Sequence, residues 1–196
     1  MSRAYRFVLV TAVSTLAMAG CADTVSGDAK TATADASPGT SSSSTTSNTV
    51  SAPHQTPNSN TDGTTFDPCV AYRAEELSKW GLDPATAKGV DDGLQRGCIW
   101  NGKGWYVQQL VANRSISEYL DTNNYPDAKP LTIAGLQGSQ HRLSQPGTGF
   151  CSVQIPSQRA VVATLVNVDA GAAARIPDAC TKAIEIATDT VAKLPK

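Results

Sequence analysis

The chain has 196 residues, with 16 Lys or Arg against 17 Asp or Glu and a net charge of −1. From Phe66 onward there are 13 of each sign, interspersed along the chain. That balance argues against nucleic acid or anionic lipid as the main partner, although a local patch stays open.

The first twenty residues have the three parts of an export signal. Arg3 and Arg6 give a positive start, Phe7 to Met18 is mostly apolar, and Ala19-Gly20 are small. An apolar run of about 12 residues falls short of the roughly 20 that a spanning helix needs. Cys21 follows at once, at the end of "LAMAGC", which resembles a lipoprotein lipobox with Met18 where leucine is usual. Cys21 is therefore expected to be lipidated and to become the new N-terminus. Two or three acyl chains, at about 0.8 kcal/mol per buried CH2, give a stable membrane anchor. The expected location is the extracytoplasmic face of the cell membrane, with the membrane itself as a partner.

Residues 21–65 change character. Twenty of the 44 residues from Ala22 to Thr65 are Ser or Thr, and none is aromatic. Such composition cannot bury enough surface to offset the entropy of ordering, so a disordered tether is expected. As a coil its ends would stand about 35 to 40 Å apart. His54, within it, has no expected role.

Residues 66–196 are one domain's worth of chain. In "FDPCVAYRAEELSKWGL", Asp67 reads as an N-cap, Pro68 as the first helical residue and Gly81 as a C-cap. Val70, Ala74 and Leu77 recur at helical spacing between them, and a turn or short helix is expected at Asp83-Pro84. "CIWNGKGWYVQQLVA" reads as two strands joined by Asn101–Gly104. Taking all four as loop sets Trp100 opposite Trp105. Ser115 and Glu118 form a capping box for a short helix. "KPLTIAGLQGSQHRL" gives one bent strand or two short ones around Gly135. "GFCSVQI" alternates, with Cys151, Val153 and Ile155 on one face, and "RAVVATLVNV" is apolar on both faces, as a central strand would be. Asp178 caps a last helix whose stripe is Cys180, Ile184, Ala187, Val191 and Leu194. The fold expected is α+β, an antiparallel sheet of about five strands packed by N- and C-terminal helices.

Four cysteines remain: Cys69, Cys98, Cys151 and Cys180. An even number in an exported domain predicts two disulfides, which staple the fold. Successive spacings of 29, 53 and 29 residues contain no close pair of the kind zinc sites use, so no metal is expected. Cys69 and Cys180 sit at helix starts and Cys98 and Cys151 in strands. This favours Cys69–Cys98 with Cys151–Cys180, and leaves Cys69–Cys180 with Cys98–Cys151 open.

Lipobox, Ser/Thr tether, "DPC", "CIW", "LTIAG", "CSVQI" and a final "PDAC" helix ending in "LP" resemble, over the whole chain, the actinobacterial lipoproteins with domain of unknown function 3558. The resemblance implies an anchored extracytoplasmic domain, and supplies no activity and no catalytic residues. Gln137-Gly-Ser-Gln departs from the small apolar residue common after "IAGL".

Catalytic grammar is thin. His141 is the domain's one histidine, and no nucleophile elbow, zinc helix or phosphate loop accompanies it. Glu75-Glu76 and Asp91-Asp92 read as solvated surface. Trp100, Trp105 and His141 are candidate ligand contacts, the tryptophans because indole rings stack on sugars and also fill cores. The expectation is a non-enzymatic domain that binds an envelope ligand or protein, without a cofactor. The alternatives are an envelope hydrolase using His141 or a carboxylate pair, and an accessory subunit of a membrane complex.

Overall fold

The computed structural model describes residues 54–142 and 148–195. The expected leader, Cys21 and the tether as far as residue 53 lie outside the described residues.

Seven strands form a single antiparallel sheet: β1 (Leu82–Asp91), β2 (Arg96–Gly102), β3 (Trp105–Ala112), β4 (Lys129–Ile133), β5 (Leu136–His141), β6 (Thr148–Ser157) and β7 (Ala160–Asp169). Their order is β1-β2-β3-β7-β6-β5-β4. Two meanders thus run in from opposite edges and meet where β3 pairs with β7. The doubly apolar "AVVATLVNV" sits in the middle, where both faces are covered.

The sheet corrects the expectation of about five strands, and the domain is mostly β. Asp83-Pro84 does not turn the chain. It lies in β1, where a shift in pairing between Asp83 and Lys88 absorbs the irregularity. Proline is tolerated there because β1 is an edge strand. The second gain comes from "LTIAGLQGSQH", which divides into β4 and β5 about Ala134 and Gly135, at φ 47° and 86°. Both residues in the left-handed region make a two-residue hairpin turn.

The β2–β3 turn is also tighter than four residues. Lys103 and Gly104 alone form it, so Trp105 pairs with Gly102 and Trp100 with Val107. The Trp105 indole lies over Gly102, where any side chain would collide with it.

The first helix is interrupted. α1 (Pro68–Ala71) and α2 (Ala74–Trp80) are separated by Tyr72, which is extended at φ −116°, ψ 142°. The break drives the Tyr72 ring into the core, and leaves Val70 exposed. There the phenol bonds to the Gln109 carboxamide and, at 2.8 Å, to the Thr190 hydroxyl. The Gln109 amide in turn donates to Thr190 at 2.7 Å and Thr164 at 3.2 Å. This knot ties β3, β7 and the last helix, α4 (Ala179–Val191), to the α1–α2 break.

α1, α2 and α4 cover one face of the sheet, over Cys98, Trp100, Val107, Cys151, Val153, Ile155 and Val166. The disulfides join Cys69 of α1 to Cys98 of β2, and Cys151 of β6 to Cys180 of α4, with Cα separations of 5.1 and 5.0 Å. The helix-to-strand pairing is thus the one present. A short helix, α3 (Ile116–Tyr119), belongs to the connection from β3 to β4, and its Tyr119 reaches the other face through Tyr125.

The folded region also begins before Phe66. Thr61 and Thr64 are buried, and the Asn113 side chain holds the segment through bonds to the Gly63 N–H, the Ser59 carbonyl and the Asp62 carboxylate. Three carbonyls of this stretch, on Thr61, Thr64 and Phe66, converge on the buried Arg96 guanidinium. Composition suggested tether here because the contacts are polar and backbone-mediated, not apolar. His54, given no role by the sequence, hydrogen-bonds to Asp67 through Nδ1.

Candidate functional site

Two concave regions bear on function. The larger is a cleft of about 580 Å³ at the turn end of the β2–β3 hairpin, within the usual range for small-molecule sites. The C-terminus of α2 supplies Trp80, β3 supplies Trp105, and the approach to α4 supplies Ile176 and Pro177. Both indoles are nearly buried, and together they form an apolar floor. Glycine at 81 closes α2 in the left-handed conformation, φ 89°, beside the Trp105 ring.

Five charged groups line this cleft. Asp178 is occupied by Arg142 at 2.6 Å and by the Thr181 N–H at 2.7 Å, which with Arg142 holds its carboxyl below the usual range. Glu185 takes the Lys182 ammonium at 3.1 Å, and that ammonium lies 5.7 Å over the Trp105 ring. Lys103 and Arg175 have no carboxylate partner among the described residues. Arg175 is held in place by donating to the Lys103 carbonyl at 2.7 Å. An apolar floor with two unneutralised cations favours a ligand with an apolar body and a negative head.

The second region is a groove on the face away from the helices. His141 and Ser152 are direct cross-strand partners there, on β5 and β6. His141 is 6 % exposed, and its Nδ1 is buried without a hydrogen-bond partner. Burial pushes its pKa down, and Asp127 and Gln154 offset this only in part, so the ring is neutral near pH 7. Beside it runs a polar ladder: the Ser139 hydroxyl donates to Gln154 at 2.8 Å, and the Gln154 amide donates to the Ser152 hydroxyl oxygen at 2.5 Å.

Among the described residues these groups do not assemble into a nucleophilic triad. A serine–histidine pair needs a mutual hydrogen bond and a carboxylate orienting the second ring nitrogen. His141 Nδ1 has no such partner, and Asp127 is bonded to the Arg142 N–H at 2.9 Å. The candidate carboxylate pairs hold local structure instead. Glu76 bonds to the Arg73 N–H at 2.9 Å and pairs with Lys193 at 2.6 Å. Burial alone would raise its pKa, but these partners outweigh it and hold the carboxyl down. Asp92 accepts from the Leu94 and Gln95 N–H groups, which pull its pKa down as well. Glu75 is exposed.

The sequence candidates therefore separate. Trp105 lines the cleft and His141 the groove, whereas Trp100 is 1 % exposed and meets the Tyr72 ring edge-on inside the core. Sequence reasoning did not single out Lys103, Arg175 or Ser152. Lys103 follows from the two-residue turn, but the other two are brought into place by long-range pairing. Among the described residues, no cluster of three or more His, Cys, Asp or Glu is placed to hold a metal ion.

Residues 16–193 match the family described as Protein of unknown function (DUF3558). The chain is a DUF3558 protein. Neither the curated proteins nor the solved structures include a match to it. The DUF3558 match takes in Cys21 and all four disulfide cysteines, so the stapled sheet described above lies within the family's span.

Proposed function

We propose that this protein is an extracytoplasmic lipoprotein, anchored through Cys21, whose domain captures an anionic amphiphile in the Trp80–Trp105 cleft. The observation that carries the reading is the pairing of an apolar floor with the uncompensated Lys103 and Arg175. Support for the exported setting comes from two disulfides, which persist in oxidising compartments, and from the lipobox-like "LAMAGC" inside the family match. The Ser/Thr-rich segment sets the domain off from the lipid surface.

Two of the three tryptophans, Trp80 and Trp105, line the cleft, so intrinsic fluorescence reports its occupancy. Residues 22–196, verified as folded and oxidised, are titrated with decanoate and with decyltrimethylammonium below their micelle concentrations. Decanoate should bind about tenfold more tightly, the scale of one charge-assisted hydrogen bond, and Arg175→Glu should erase the difference. Equal affinity for both amphiphiles, or no response to either, would sink the reading.

A further inference from the structure

We propose that the groove on the open face of the sheet is a second binding site, which takes the ring of a neutral sugar. It is separate from the cleft: the groove lies on the face opposite α4, between the β1–β2 turn and the β3–β4 connection.

Its volume is about 280 Å³, enough for one ring with its substituents and not for an extended acyl chain. Half-buried Tyr125, Phe150 and Leu165 supply apolar walls. His141 packs between the two aromatic rings, 4.5 Å from Tyr125 and 6.5 Å from Phe150. The ring planes are inclined, 40° for His141 with Tyr125 and 42° with Phe150. Inclined walls form no parallel slot for a flat aromatic ligand. They suit a puckered ring that offers C–H bonds to aromatic faces and hydroxyls at its rim.

The polar atoms point the same way. A buried, unpartnered side-chain nitrogen is costly unless something bonds to it, and His141 Nδ1 is such an atom. Ser152 stands directly across from it, and its oxygen already accepts from Gln154, which leaves its proton to donate. A sugar hydroxyl both donates and accepts, so it can serve both groups at once. Net charge in the groove is near zero: Asp92 and Arg114 lie at the rim, and the Asp92 oxygens are taken by its own loop. Among the described residues, a charged ligand has only the Arg114 guanidinium there to neutralise it.

The test is saturation-transfer NMR on the full chain in a phosphocholine detergent. The probes are methyl glucoside, methyl mannoside and methyl galactoside, with benzyl alcohol as the flat-ring comparison. At least one glycoside should receive saturation at its ring C–H protons and shift the His141 imidazole resonance, which only His54 accompanies in the spectrum. Ser152→Ala and Phe150→Ala should each weaken binding about tenfold, as expected when a buried polar group loses its partner or a ring loses its wall. Arg175→Glu, in the other cleft, should leave it unchanged. Transfer to benzyl alcohol alone, transfer to no glycoside, or an unmoved His141 resonance would each overturn the proposal. The last readout uses the unaltered chain, so it stands even where a variant fails to fold.

Discussion

The Arg96 guanidinium donates to the Phe66 carbonyl at 3.0 Å from a site that is 1 % exposed to solvent. The same side chain reaches the Thr64 and Thr61 carbonyls, at 3.2 and 3.3 Å. Burial pulls its pKa down, and only the more distant Asp67 and Asp91 carboxylates act against that. Arg96 thus joins Asn113 in fastening the N-terminal segment to the sheet.

Arg96→Ala should cost about 3 kcal/mol, because it strands buried carbonyls that no other side chain among the described residues satisfies. Urea denaturation measures the loss. Limited proteolysis should then cut within residues 58–66, which the intact protein protects. Stability within about 0.5 kcal/mol of wild type would mean the segment is held by other contacts.

Tyr72→Phe tests the core knot. It removes one hydroxyl and leaves Gln109 and Thr190 each short of a partner, at about 1 to 2 kcal/mol. Gln109→Leu combined with Tyr72→Phe should cost less than the sum of the single changes, since the pair shares bonds. Denaturation of the three variants gives the coupling directly.

Stability should fall in two stages as pH drops. His141 has a lowered pKa when folded, so the unfolded chain takes up its proton first, from about pH 6.5 downward. Stability is therefore complete above that pH and declines below it until the folded pKa is reached. The groups around the ring are Asp127, Asp92, Arg114, Tyr119 and Tyr125. His141→Gln should flatten this first slope. Asp178, Asp92, Glu76 and Glu118 have lowered pKa values, and their contribution is present above about pH 4 and lost below it. Asp178→Ser keeps an N-cap without the charge, so it should shrink the second stage while leaving α4 intact.

Cys21→Ala should release the protein from the membrane fraction or leave it unprocessed. Labelled palmitate and fractionation read the result. Unchanged membrane retention, with no lipid mass on the wild-type protein, would remove the anchor from the account.

What could be read in advance follows the kind of signal each element carries. β6 and β7 declared themselves through alternation and doubly apolar patterning. β1 is an edge strand with a proline and little buried side chain, so it left no pattern to read. The last helix shows a subtler failure. Its buried face is Ala179, Cys180, Ala183, Ile186, Ala187 and Thr190, turned from the stripe through Ile184 and Val191. Small residues let α4 approach the sheet closely, while the larger apolar side chains flank the contact, and hydropathy weights the larger ones. Trp105 and His141 could be named as candidates from residue type alone. Their partners Arg175 and Ser152 could not, because strand pairing and the run into α4 decide which distant residues share a wall.

The two disulfides close in succession along the chain, each spanning 29 residues, and neither loop encloses the other. A chain that leaves a membrane pore amino end first can therefore seal its leading half once Cys98 has emerged. The trailing half, from Cys151 to Cys180, would still be inside at that moment and would offer no rival thiol. In such a chain the order of arrival would keep the two pairs apart, and the β3–β7 seam would join two halves that are already oxidised.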